Sequence, residues 1–147
     1  MFNLFNTREK TEVKEEVVIK PSEEETHEVV DKMMTLQWLT NKLYFAGSAR
    51  NADLTEFYFH ELEEKMEEFA EADIVDEGLQ LSVLMRAHGL AALDLARIKT
   101  KEQGFDAFNE IYSNFISGCN NCHSGTGHAF IKIAIPTTPV ADNQDFR

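Results

Sequence analysis

The sequence predicts an all-α fold: an antiparallel up-and-down four-helix bundle with a disordered acidic N-terminal tail and an extended C-terminal tail. Chain-breaking residues are scarce, with 7 Gly and 3 Pro in 147 residues, so elements run long. Apolar residues recur at three- and four-residue steps in four separate stretches, the period of a helix that buries one face. The connections between these stretches are short, which favours antiparallel neighbours. The length is that of about one domain, and 43% hydrophobic residues are enough for a real core.

Residues 1–21 read as a flexible tail or leader remnant. From Thr7 to Glu25, Glu, Lys and Thr dominate, with a break at Pro21 and little to bury. The bundle spans residues 22–127. Ser22 and Glu25 stand at capping-box spacing, and Glu23 to Glu25 suit the positive end of a helix. The first helix therefore opens there and runs to about Gly47, with Val29, Met33, Leu36 and Leu43 on its inner stripe and Val30, Met34 and Trp38 beside them. A second helix begins near Asp53, which has Glu56 at capping-box spacing, and its inner stripe is Tyr58, Leu62, Met66 and Phe69.

In the third helix the stripe is Leu81, Leu84, Met85, His88, Ala91, Leu95 and Ile98, with Gly89 weakening it without ending it. Thr100 and Gln103 form a further capping-box pattern. The fourth helix then carries Phe105, Phe108, Ile111 or Tyr112, Phe115 and Cys119 inward, and Cys122 and His123 continue it to its end. Gly125 and Gly127 terminate it. In residues 128–147, Phe130, Ile131, Ile133 and Ile135 surround Lys132 and Ala134 ahead of Pro136 and Pro139, which reads as extended chain.

A net charge of -12 and the lack of a basic stripe with interleaved aromatics argue against a nucleic-acid partner. A partner recruited through long-range charge would present a basic face. No run of some eighteen apolar residues exists to span a membrane. Neither a nucleophile elbow, a phosphate loop nor a zinc-protease helix occurs, so a dedicated enzyme is not expected.

The chain has 2 cysteines, Cys119 and Cys122. A bridge between them would close too small a loop to restrain the unfolded chain, so chemistry at the pair is the better explanation. Cys119-Asn120-Asn121-Cys122-His123 matches C-x-x-C-H, the pattern of covalent haem attachment. Two thiols one helical turn apart can reach the two vinyl groups on one porphyrin edge, and the adjacent His brings its imidazole beneath the iron. One covalently held haem c, with Cys119 and Cys122 as attachment sites and His123 as iron ligand, is the expectation. Two other readings of the pair are weaker. Cys119, Cys122, His123 and His128 are four potential zinc ligands, but adjacent Cys122 and His123 strain a tetrahedral site. A dithiol redox pair suits C-x-x-C, but this one stands at the end of a helix and not at the N-terminus that depresses a thiol pKa.

A helical bundle whose single C-x-x-C-H lies at the end of its last helix resembles the class II c-type cytochromes, the cytochrome c prime group. The resemblance covers about residues 22–127. It implies a haem packed inside the bundle, His123 as proximal ligand, and a role in electron transfer or in binding nitric oxide or carbon monoxide. Homodimer formation is compatible with it. Two features depart from the group: the tail after Gly127 and the stretch KLYFAGSARNADL at Lys42 to Leu54.

The sixth iron position separates an electron carrier from a five-coordinate gas-binding protein. Antiparallel topology sets the motif beside the start of the first helix, so Met33 or Met34 is the candidate distal ligand, although methionine on an apolar stripe is more often core packing. His88 reads as a hydrogen-bonded core residue, His60 and His27 as solvated, and His128 as a residue of the proximal side or rim. Phe105, Phe108, Tyr112 and Phe115 read as core that also abuts whatever fills the bundle, and Trp38 as a residue whose indole needs a partner if buried. Haem attachment to this motif implies a periplasmic or otherwise exported protein, yet no signal peptide is visible in residues 1–21. A leader remnant at Met1 to Phe5 reconciles the two, and the functional partner would then be a redox protein outside the cytoplasm.

Overall fold

The computed structural model describes residues 23–147, with side chains from His27 onward. The expected tail of residues 1–21 and the Ser22–Glu25 capping box lie outside the described residues. The fold is all-α. In chain order it comprises α1 (Glu23–Ser48), α2 (Ala52–Glu71), a hairpin of β1 (Val75–Asp76) and β2 (Leu79–Gln80), α3 (Leu81–Leu84), a π-helical segment (Met85–Leu90), α4 (Ala91–Gln103), a 3₁₀ turn (Phe105–Ala107) and α5 (Phe108–Gly125). No helix among the described residues is long and apolar enough to cross a membrane.

Local chemistry sets the boundaries. Helix α1 stops at Ser48, and Arg50 takes a left-handed conformation with φ 59°. Asn51 then opens α2 by accepting the Leu54 N–H on its side-chain oxygen at 3.0 Å. The cap is thus Asn51 and not Asp53. Asp53 lies within the first turn, where its charge faces the positive helix end. Glu77 and Gly78, at φ 49° and 79°, make the tight turn between β1 and β2, the backbone a two-residue hairpin requires. Gly104 at φ 76° separates α4 from the last helix. Thr100, expected to cap that helix, instead bonds the Ala96 carbonyl inside α4.

Segments α3, π and α4 run without a break from Leu81 to Gln103. Their inward residues are Ser82, Met85, Gly89, Leu93, Ala96 and Thr100. The sequence stripe is right at Met85 and fails beyond the π segment, where Leu95 and Ile98 are 54% and 52% exposed. On an α-helix Leu95 and Ile98, ten and thirteen residues after Met85, lie about 80° and 140° round the axis from it, so the expected stripe drifts off the inner face.

Each helix packs on its chain neighbours, and α5 closes the set against α1. The core joins Leu43 and Ala46 of α1, Phe59, Leu62, Met66 and Phe69 of α2, Leu93 of α4, and Phe108, Ile111, Tyr112 and Phe115 of α5. Each large side chain buried in this way stabilises the fold by about 1.5–3 kcal/mol. Of the stripes expected for the second and last helices, Tyr58, Leu62, Met66, Phe69, Phe108, Ile111, Tyr112 and Phe115 are buried in the core, while Phe105 and Cys119 are partly buried against it. The Tyr112 hydroxyl donates to the Thr40 carbonyl at 2.9 Å, tying α5 to the middle of α1. At one end, Gly47 abuts the Phe108 ring, and Arg50 pairs with Asp106. At the other end, the start of α1, the last half of α2, the α3–π junction and the end of α5 surround a cavity.

Residues 128–147 contain neither helix nor strand and lie back along the helices. Asn41 on α1 bonds the Thr138 carbonyl and the Val140 N–H, Gln144 bonds Tyr58 of α2, and Asn51 bonds the Phe146 carbonyl.

Candidate functional site

The cavity between the helix ends has a volume of about 360 Å³ and an apolar wall, within the usual size of a ligand pocket, about 300–1,000 Å³. Val29, Met33, Leu36 and Thr40 of α1 form one side and Met66 of α2 another. Leu84, Met85 and Gly89 form a third, and Gly118, Cys119, Cys122 and His123 of α5 close it, with Ile131 and Ile133 at the rim.

All three motif side chains reach this cavity because 119, 122 and 123 fall on adjacent positions of one helical face. Both thiols are free. Burial raises the Cys119 pKa to about 11 and pushes that of Cys122 up as well, so both are protonated near neutrality. This opposes the depressed thiol pKa that a redox dithiol uses. Among the described residues, no three His, Cys, Asp or Glu side chains converge as a metal-holding group. Cys119, Cys122, His123 and His128 share the cavity wall without forming a zinc cage.

His123 is half-buried, and burial is the main cause lowering its pKa; its bond to Ile131 acts in the opposite direction. Its Nδ1 lies 2.9 Å from the Ile131 carbonyl oxygen. A carbonyl can only accept, so Nδ1 carries the proton and the Nε2 lone pair is free for a metal. The ring orientation and tautomer are therefore set by the chain after α5. That chain is turned by Gly127 at φ 78°, with the His128 N–H bonded to the His123 carbonyl at 2.7 Å.

Comparison with protein-family models, curated proteins and solved structures gives no match to this chain. The site therefore speaks through its own chemistry.

The other candidates are distributed unevenly. Met33 is half-buried on the cavity wall, while Met34 reaches the rim and is 62% exposed. Trp38 is 52% exposed with Lys42 Nζ over its ring at 5.9 Å, so its indole is not a buried donor. His27 and His60 are exposed, and His60 Nε2 lies 3.3 Å from Glu64. His88 stands beside α5 with its carbonyl near Gly118, away from the cavity wall, whereas His128 is on that wall with Nδ1 3.3 Å from the Thr126 hydroxyl. Phe108, Tyr112 and Phe115 are core below the cavity and do not line it.

Two cavity thioethers were not singled out as ligand candidates from sequence, those of Met66 and Met85. Gly89 leaves the space they share: a Cβ there would overlap Met85 Sδ and approach Met66 Sδ to 3.5 Å. Their stripe positions marked them as inward, but only the tertiary arrangement sets both beside the motif. The fit to a haem is good in kind. The donor set on this apolar cavity is two thiols, one imidazole nitrogen and several thioethers, and Cys119, Cys122 and His123 are the residues that would hold a covalently tethered haem.

Proposed function

We propose that this chain is a mono-haem c-type cytochrome acting in electron transfer, with haem c attached through Cys119 and Cys122 and iron bound by His123 Nε2. The observation that carries the reading is the convergence of two unbridged, neutral thiols and a tautomer-fixed imidazole on one wall of an apolar cavity. Each thiol would attach by adding across a vinyl group, its sulfur bonding one carbon and its hydrogen passing to the other, so no oxidant would be consumed. A haem held here supplies a one-electron couple between ferric and ferrous iron.

The protein's own residues do the rest. The imidazole of His123 would hold the iron, and the apolar wall would surround the macrocycle. Met33, on the α1 side, is the favoured distal ligand over the exposed Met34. A thioether there raises the potential and yields a six-coordinate carrier. Met66 and Met85 border the same cavity and offer further thioethers to the same position.

The helices read as an antiparallel up-and-down four-helix bundle resembling the class II c-type cytochromes. Support comes from helix ends of alternating sense meeting around the cavity, and from a last helix that ends on the motif. Attachment chemistry of this kind implies a periplasmic or otherwise exported protein. With a charge of -12, the expected redox partner has a basic docking face.

A denatured mass and an absorption spectrum, recorded before and after carbon monoxide, test the proposal. Expected are one covalent haem per chain, a low-spin spectrum and little uptake of carbon monoxide by the reduced protein; Cys119→Ala/Cys122→Ala should lose the covalent haem. A high-spin protein that binds carbon monoxide at once would replace electron transfer with gas binding. A colourless native protein with no covalent haem would sink the reading.

A further inference from the structure

The chain after α5 belongs to the site. In an extended segment, backbone carbonyls two residues apart point to the same side, and here Ile131 and Ile133 both turn theirs toward α5. The Ile131 carbonyl accepts from His123 Nδ1 at 2.9 Å. Ile133 is gripped at both backbone polar atoms by one side chain: Asn120 Nδ2 donates to its carbonyl at 2.9 Å, and its N–H donates to Asn120 Oδ1 at 2.7 Å. Asn120 is half-buried and occupies the first variable position of the C-x-x-C-H motif. Helix and strap are thus locked in register one turn before the histidine. The strap's next anchors are the Asn41 bonds to Thr138 and Val140.

We propose that Asn120 is a positioning residue for the iron ligand. By clamping Ile133 it fixes the Ile131 carbonyl, which selects the Nδ1–H tautomer of His123 and presents Nε2 to the metal. This inference rests on the haem reading above. A ligand imidazole whose outer N–H is held by a carbonyl is a stronger donor, and a stronger donor favours ferric over ferrous iron. Loss of the clamp therefore moves the midpoint potential positive.

The test uses the full-length, haem-bearing protein. Asn120→Ala is expected to retain one covalent haem by denatured mass. Its ferrous-to-ferric ratio at a given potential should rise about tenfold, a positive shift of ~59 mV for one electron. Exchange of the His123 Nδ1 proton with solvent, followed by NMR of the reduced protein, should accelerate. Asn120→Leu keeps the approximate side-chain size without the amide and should behave alike, so either variant suffices if the other fails to fold. Asn121→Ala, at the exposed neighbouring position of the same motif, should keep the wild-type potential and exchange rate. Haem-bearing Asn120 variants with wild-type potential and exchange would overturn this inference alone. A wild-type protein without covalent haem would overturn the haem reading and this inference with it.

Discussion

Asn51 holds an extended conformation, φ -84° and ψ 97°, while its side-chain oxygen satisfies the Leu54 N–H that α2 would otherwise leave open. Its amide nitrogen also bonds the Phe146 carbonyl, so one side chain caps a helix and ties down the end of the strap. Asn51→Ala should lower unfolding free energy by about 1 kcal/mol, read from urea denaturation. Asp53→Ala, which removes a first-turn charge and no cap, should cost less, about 0.3–1 kcal/mol. A loss at Asn51 no larger than that at Asp53 would mean that the side-chain cap contributes no more than one first-turn charge. The same residue-level logic operates at His123, where a single backbone carbonyl decides which ring nitrogen carries the proton.

The helices meet where side chains are missing. Gly47 of α1 takes the Phe108 ring directly on its backbone, and a Cβ there would overlap ring atoms that are buried. Ala is the better helix former by about 1 kcal/mol, but overpacking a filled core costs about 1–3 kcal/mol. Gly47→Ala should therefore destabilise by up to about 2 kcal/mol net, as a lower urea midpoint at unchanged slope. Gly118 plays the corresponding part at the cavity end, 2.9 Å from Ala92 Cβ and 3.2 Å from the His88 carbonyl at the built Cβ position. Close approach of α5 to the π segment brings the motif cysteines and Met85 onto one cavity. The inner face of the helix through that segment follows Met85, Gly89, Leu93 and Ala96, and Leu95 and Ile98 lie off it.

Across the whole molecule, charge is arranged against a net excess of carboxylates. Arg97 of α4 reaches α2, bonding Glu56 and, at 2.8 Å, Glu63, and Lys101 adds a longer pair to Glu56. The Arg97 guanidinium holds the Glu56 carboxyl below its ordinary range, its hydrogen bond being the largest cause. A depressed carboxyl pKa contributes stability above the unfolded value and loses it as pH falls through the folded value. Side-chain exposures of 23% for Arg97 and 44% for Glu56 leave the pairs partly screened, so Arg97→Ala should cost about 1 kcal/mol at neutral pH. The gap between the variant and wild-type stabilities should narrow as pH drops below the carboxylate range, in urea titrations at stepped pH. A gap constant down to pH ~3 would show that the contribution is packing of the arginine stem and not charge.

Much of this protein is local and so legible in one dimension. Four apolar periods became helices because amphipathic spacing and sparse breakers leave few alternatives, and Gly125 and Gly127 ended the last one where the period stops. C-x-x-C-H set two thiols and an imidazole on one helical face because a helix repeats every 3.6 residues. Other features depend on segments remote in sequence. Asn51 over Asp53 as a cap follows from where the preceding backbone turns, and the inner face of α4 is the one that meets α5 and α2. The presence of Met66 and Met85 at the cavity, and the pinning of His123 Nδ1 by Ile131, required helices and strap to meet. By itself the sequence determined which residues carry the candidate chemistry, since their spacing is covalent. Tertiary structure alone decided which residues surround the cavity and which nitrogen of His123 carries the proton, since those contacts depend on how separate segments meet.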